Sequence, residues 1–116
     1  MRIVPSDHHE PTLTVTVCRD ERVAVVGLRG RVDAETVEVV RSALDGLLED
    51  GVRDVLVDMD ETSYLADVAA ASLVDAARWT RALGGTLYVF HVHGQPRERL
   101  HALALQSAGP LLSQAA

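Results

Sequence analysis

Two segments in the first half of the chain place apolar residues at the two-residue period of a β-strand. Residues 12–17 (TLTVTV) alternate leucine and valine with threonine, which predicts a strand buried on one face. Residues 22–28 (RVAVVGL) are more continuously apolar, which predicts a strand covered on both faces. Only the polar residues 19–21 separate the two segments, so we expect them to form an antiparallel hairpin.

A helical spacing of apolar residues begins after Gly30. Residues 31–51 carry apolar side chains three and four positions apart, which predicts an amphipathic helix. Asp33 with Thr36 suits the start of this helix, because short polar side chains bind free backbone amides there. Gly51 suits its end.

The second half of the chain continues the alternation of strands and helices. Residues 54–58 and 86–92 predict buried strands, and residues 67–83 and 97–105 predict helices. The order β-β-α-β-α-β-α implies an α/β fold, in which right-handed crossovers build a mixed sheet with an antiparallel N-terminal hairpin, flanked by three to four helices. Partners usually bind such sheets where strands end and helices begin, which singles out residues 58–71.

Length and composition are those of one ordinary globular domain. The chain has 116 residues, of which 47% are hydrophobic and 24% charged. Residues 1–11 predict a loose N-terminal leader, and residues 12–116 a single domain. Cys18 is the one cysteine, and no apolar run approaches the ~20 residues that span a bilayer, so we expect a cytoplasmic protein that does not insert into membranes.

The charge of the chain argues against nucleic acid as a partner. Eleven basic and 17 acidic residues give a formal net charge of −6, which repels phosphate backbones and anionic lipids. Aromatic residues make up only 3% of the chain, so few side chains are available to stack on bases.

Motifs for catalysis or for a cofactor are missing from the sequence. It contains no phosphate loop of the GxxxxGK type and no nucleophile elbow, so we expect no enzymatic activity. Acidic residues at 58, 60, 61 and 67 suggest a divalent metal, but nothing in their spacing fixes a coordination geometry, and a solvated loop is favoured. Histidines at 8, 9, 91, 93 and 101 match no compact zinc motif, so neither a metal nor a cofactor is expected.

Several short motifs, taken in order, resemble the STAS domain, in particular that of bacterial anti-sigma factor antagonists. They are residues 30–36 (GRVDAET), 55–58 (VLVD), 63–65 (SYL) and 84–87 (GGTL), and the resemblance extends over residues 23–105. It implies a STAS-like sheet and a regulatory protein-binding module, a monomer or weak dimer. Such a module docks on an anti-sigma factor, a kinase-like ATPase, and thereby releases a sigma factor to RNA polymerase.

The chain departs from this family at the family's phosphorylation site. There, an aspartate followed by Ser-Ser-Gly or Ser-Thr-Gly opens the second helix, and phosphorylation of the first hydroxyl releases the kinase. Here residues 65–70 read LADVAA. A gapless alignment places Asp67 at the acceptor position, and an alignment with one inserted residue places Val68 there. In both alignments the acceptor hydroxyl is missing, so phosphorylation of the usual kind is not expected.

Asp67 is the central candidate, with two compatible interpretations. Its carboxylate either caps the second helix or supplies permanently part of the charge of a phosphate. Ser63, which precedes that helix, is a candidate substitute phosphosite. The residues predicted to bind the partner are Asp33, Thr36, Ser63, Tyr64, Asp67, Val68 and Ala71.

Two other functions remain open at this point. The chain could be a STAS subunit of a larger transport or stress-signalling complex, in which acceptor phosphorylation is not needed. It could also be a small-molecule or nucleotide sensor that uses the start of the same helix.

Overall fold

The computed structural model describes residues 12–106 and 113–115. Before its third helix it has five strands, one more than the sequence predicts. The predicted leader, residues 1–11, lies outside the described residues. The elements are β1 (Leu13–Asp20), β2 (Val23–Val32), α1 (Val37–Glu49), β3 (Asp54–Asp58), β4 (Thr62–Leu65), α2 (Asp67–Ala82), β5 (Thr86–Phe90), α3 (Gly94–Gln106) and β6 (Ser113–Ala115).

In the described part of the chain, one mixed sheet contains all six strands. Its order is β1-β2-β3-β5-β6, and β4 pairs with β2 outside this path. β1 and β2 form the predicted antiparallel hairpin, and every other pairing is parallel. β2 pairs in parallel with two strands along its length. Val23–Gly27 pair with β3, and Gly30–Val32 pair with β4. The predicted fold class is thereby confirmed.

The hydrophobic core lies between one face of this sheet and the helices. On β2, Ala24, Val26 and Leu28 are buried, and the same alternation continues on β3 and β5. On the opposite face Val25 is 38% exposed and Tyr88 is 37% exposed. The prediction that β2 is covered on both faces is therefore wrong. An apolar run alone does not tell on which side of a sheet the helices pack.

β4 is one of two strands that the sequence did not predict, and the other is β6. β4 has only four residues (TSYL), too few for a two-residue period to stand out. The buried Thr62 hydroxyl holds it to β2 by donating to the Leu28 carbonyl at 2.6 Å. Its register contains a bulge, because Thr62 pairs with Gly30 and Tyr64 with Arg31, which leaves Ser63 as the extra residue.

The start of β5 packs closely against the strand beside it. A Cβ atom added at Gly85 would overlap the carbonyl oxygen of Arg53, which already accepts a hydrogen bond from the Thr86 N–H at 2.9 Å. Gly46, inside α1, has nothing within 4 Å of the corresponding position. An added methyl group would therefore clash with the backbone at Gly85 and meet open space at Gly46.

We predict that Gly85→Ala and Gly46→Ala change the free energy of unfolding in opposite directions. Gly85→Ala should destabilise the fold by about 1–3 kcal/mol, because the backbone of Arg53, directly before β3, must move. Gly46→Ala should stabilise it by about 0.5–1 kcal/mol, because alanine loses less conformational entropy in a helix. Urea denaturation followed by circular dichroism measures both changes, and equal effects of the two variants would contradict the described packing.

Candidate functional site

The candidate residues lie at the edge of the sheet where β2 and β4 end. Because these strands are parallel, both end at the same edge, and α1 and α2 begin there. The Ala66 N–H donates a hydrogen bond to the Val32 carbonyl at 2.9 Å, which joins the end of β2 to the segment that follows β4. We call this region the β2–β4 edge. It comprises the residues predicted to bind a partner: Asp33, Thr36, Ser63, Tyr64, Asp67, Val68 and Ala71.

Asp33 and Thr36 organise the turn between β2 and α1. The Asp33 carboxylate accepts hydrogen bonds from the backbone N–H groups of Glu35 at 3.0 Å and Thr36 at 3.2 Å. The Thr36 hydroxyl donates to the Arg31 carbonyl at 2.9 Å and accepts from the Asp33 N–H at 2.9 Å. α1 itself begins after Thr36 without a side-chain cap, so Asp33 holds the turn before the helix and not the helix.

These contacts set the pKa of Asp33. Partial burial raises the pKa of the carboxyl, but the N–H groups of Glu35 and Thr36, the Thr36 hydroxyl and the Arg31 guanidinium together outweigh it. The pKa therefore lies below its ordinary value. A carboxyl whose pKa falls on folding stabilises the fold above its unfolded pKa, and this contribution is lost as the pH falls through the folded pKa.

We predict that the Asp33 carboxyl titrates below about 3.9, the midpoint of an unperturbed aspartate, in ¹³C NMR of the carboxyl carbons. Thr36→Val removes one hydroxyl contact and should raise that midpoint. Asp33→Asn should destabilise the protein at pH 6, and the difference from wild type should vanish below the folded-state pKa. A midpoint at or above about 3.9 would contradict the hydrogen bonds described for this turn.

Tyr64 is joined to Asp33 through Arg31. The Arg31 guanidinium carbon lies 4.4 Å from the centroid of the Tyr64 ring, and its Nε lies 3.8 Å from the Asp33 carboxylate. A cation over a ring face is attracted by the ring's quadrupole. Ser63, the extra residue of the bulge, is exposed beside this pair.

Asp67 is the first residue of α2 and not its cap. The N-cap is Ala66, which has an extended backbone and makes no side-chain hydrogen bond. The Asp67 side chain is 82% exposed, and its Oδ1 lies 2.9 Å from Nε of Arg99 on α3. The cap interpretation is therefore wrong, because the carboxylate is directed toward α3 and not toward the free amides of its own helix. Its charge still complements the positive end of the helix dipole.

A cavity of about 300 Å³ lies beside this ion pair, between α2 and α3. Small side chains at the start of α2 leave this space open. Val68, next to the ion pair in sequence, is 46% exposed and presents an apolar side chain to solvent. The cavity is lined by Asp67, Ala70, Ala71, Arg99, Ala102 and Leu103.

Gln95 positions the segment that precedes α2, and sequence reasoning missed it. Its side-chain oxygen accepts from the Leu65 N–H at 2.8 Å, and its side-chain nitrogen donates to the Leu65 carbonyl at 2.9 Å. The amide thus pairs with the last residue of β4 as a neighbouring strand would. A single glutamine before a proline carries no pattern that predicts this contact.

The acidic residues near the edge are directed to separate partners. Asp58 accepts from the Asp60 N–H at 3.1 Å and lies 3.3 Å from the His91 ring. Glu61 pairs with Arg29 at 3.3 Å. Within residues 12–106 and 113–115, no three His, Cys, Asp or Glu side chains form a group that could hold a metal ion. Histidines 8 and 9 lie outside these ranges.

None of the helices in the described part of the chain is both long enough and apolar enough to cross a membrane.

Comparison with solved structures finds the same fold in anti-sigma factor antagonists. The unphosphorylated form of the anti-sigma factor antagonist SpoIIAA superimposes with a TM-score of 0.75, at 16% identity over 89% of each chain. An anti-sigma factor antagonist from Mycobacterium paratuberculosis gives 0.73, at 21% identity over 87% of this chain and 85% of that one. A serine-to-glutamate variant of RsbS from Moorella thermoacetica gives 0.68, at 14% identity over 87% and 85%.

No curated protein matches the chain in sequence. Residues 14–112, however, match the family described as the STAS domain, and this range includes all of the β2–β4 edge. The expected family is thereby confirmed, and the chain belongs to the STAS domain family.

Proposed function

We propose that this protein is an anti-sigma factor antagonist that binds a kinase-like anti-sigma factor through the β2–β4 edge. The observation that carries the proposal is the exposed start of α2, where the Asp67 side chain is 82% exposed and lies 2.9 Å from Arg99. The resemblance to the family's motif aligns Asp67 with the phospho-acceptor position or the residue before it. Membership of the STAS family and the shared fold of two anti-sigma factor antagonists support it.

The permanent charge of Asp67 sets the proposed affinity of the β2–β4 edge for its partner. A phosphoserine carries about −1.5 to −2 and three acceptor oxygens, so a carboxylate is only a partial mimic. Arg99 lies in contact with Asp67 and offsets part of its single negative charge, and solvent screens this exposed pair. The edge therefore keeps a reduced negative charge at this position, and we infer a form that still binds the kinase, but more weakly than a form without this charge.

The proposed activity is binding without catalysis. The polar groups of Asp33 and Thr36 are engaged in holding the turn before α1, where they position a surface for a partner. An antagonist of this class acts where sigma factors meet RNA polymerase, which places it in the cytoplasm. The net charge of −6 fits a protein partner better than a nucleic acid.

We predict that Asp67→Ser and Arg99→Gln move the affinity for the anti-sigma factor in opposite directions. Asp67→Ser removes the negative charge and should strengthen binding about tenfold, or ~1.4 kcal/mol. Arg99→Gln uncovers that charge and should weaken binding by a similar factor. Calorimetry with each purified kinase-like anti-sigma factor of the source genome measures both. The fold should be little affected, because an exposed ion pair contributes only about 0–1 kcal/mol.

Arg97→Gln is the matched control. Arg97 is an exposed residue of the same helix for which no ion pair with the described residues is seen, so the variant makes the same change in net charge. It should bind like wild type. Equal affinities for wild type, Asp67→Ser and Arg99→Gln would show that the pair has no part in recognition, and failure of the wild type to bind any such kinase would refute the proposed function.

We predict, second, that Ser63 accepts phosphate from the cognate kinase. Its side chain is exposed at the bulge, four residues before α2, whereas Ser72 lies within α2 and is half-buried. Incubation with the binding kinase and ATP, followed by mass spectrometry of peptides, locates the phosphate. Ser63→Ala should abolish the modification and Ser72→Ala should not. A wild-type protein that stays unmodified would mean that this antagonist is not regulated by phosphorylation.

A further inference from the structure

A second surface, separate from the β2–β4 edge, lies in a groove between α1 and α2. The groove has a volume of about 320 Å³, and the buried side chains of Leu44 and Ala76 form its floor. Its other lining residues lie three or four positions apart on each helix, so they face one another across the groove. They are Arg41 and Asp45 on α1, with Ser72, Asp75 and Trp79 on α2.

Trp79 is the most conspicuous residue of this groove. It is the only tryptophan in the chain, and 41% of it is exposed. Leu83, four positions further along the chain, is 39% exposed. An accessible indole beside a groove is typical of protein interfaces, where tryptophan and arginine carry much of the binding energy.

The charges of the groove define what fits it. Arg41 is already paired with Glu38 at 2.9 Å. The carboxylates of Asp45 and Asp75 make no ion pair or side-chain hydrogen bond with any residue that the structure describes. Two uncompensated carboxylates beside an indole complement a guanidinium group, which stacks on the indole face and donates hydrogen bonds to carboxylate oxygens.

The groove continues the β2–β4 edge along α2. Val68, Ser72, Asp75 and Trp79 are spaced by four, three and four residues, which places them along one side of the helix. The distance from Val68 to Trp79 along the helix axis is about 16 Å, at 1.5 Å per residue. A protein docked on the start of α2 therefore reaches the groove with an adjoining segment.

We propose that the groove receives an arginine-bearing segment of the same anti-sigma factor, with the arginine stacked on Trp79 and paired with Asp45 or Asp75. This inference rests on the proposed function and adds a second contact to it. The first contact senses the charge at Asp67, and the second provides affinity that does not depend on the switch.

The test uses the full chain and the kinase-like anti-sigma factor that binds it. Trp79→Ala should weaken binding about 30-fold, the loss expected for a central interface tryptophan. Asp75→Asn should weaken it about fivefold or more and reduce its dependence on salt. The control is Glu49→Gln, which removes one exposed negative charge at the end of α1 outside the groove and should leave the affinity unchanged.

A spectroscopic measurement on protein that keeps Trp79 tests the same contact even if Trp79→Ala fails to fold. With 5-fluorotryptophan incorporated, the protein carries one fluorine signal, at position 79. This ¹⁹F resonance should shift when the unlabelled kinase is added to the wild type, and should shift less for Asp75→Asn at the same kinase concentration.

The outcomes separate the two proposals. If the wild type binds and Asp67→Ser changes the affinity, while Trp79→Ala and Asp75→Asn bind like Glu49→Gln, the groove inference is overturned and the proposed function stands. A gain of affinity in Asp75→Asn also overturns it, since the occupant would then not be basic. If the wild type binds no kinase-like anti-sigma factor, both proposals fail together.

Discussion

The handedness of the crossover connections is the constraint on which the rest of this structure depends. Each helix connects parallel strands by a step in the same direction across the sheet, from β2 to β3, from β4 to β5 and from β5 to β6. Right-handed crossovers that all step in one direction place their helices on the same face. The core therefore forms on that face alone, and the turns that leave β2 and β4 meet at one edge.

α3 links this architecture to the candidate switch. Gln95 and Arg99 lie four residues apart, on one side of α3. The first holds the backbone of Leu65 at the end of β4, and the second holds the carboxylate of Asp67 at the start of α2. Contacts from α3 thus hold the segment from Leu65 to Asp67 at both of its ends. A change in the conformation of this segment would therefore also move the charge of Asp67.

Much of the fold could be predicted because its signals are periodic. β3, α2 and the hairpin follow from the spacing of apolar residues, and the STAS motifs gave the family. The predicted second strand ended too early, at residue 28, since β2 continues to Val32, and the four residues of β4 are too few to show a period. The contacts of Gln95 and Arg99 arise between residues about 30 apart in the chain, where no local pattern exists.

The one-sided attachment of β4 has a consequence for the dynamics of the protein. Within the described residues β4 pairs with a single strand, β2, and the side-chain hydrogen bonds to its other side come from the Gln95 amide at Leu65. Segments with few such bonds open at lower free energy than the whole domain. The less buried middle of β4, residues 63 and 64, is therefore the part of this strand most readily opened, whereas the buried side chains of Thr62 and Leu65 hold its two ends in place.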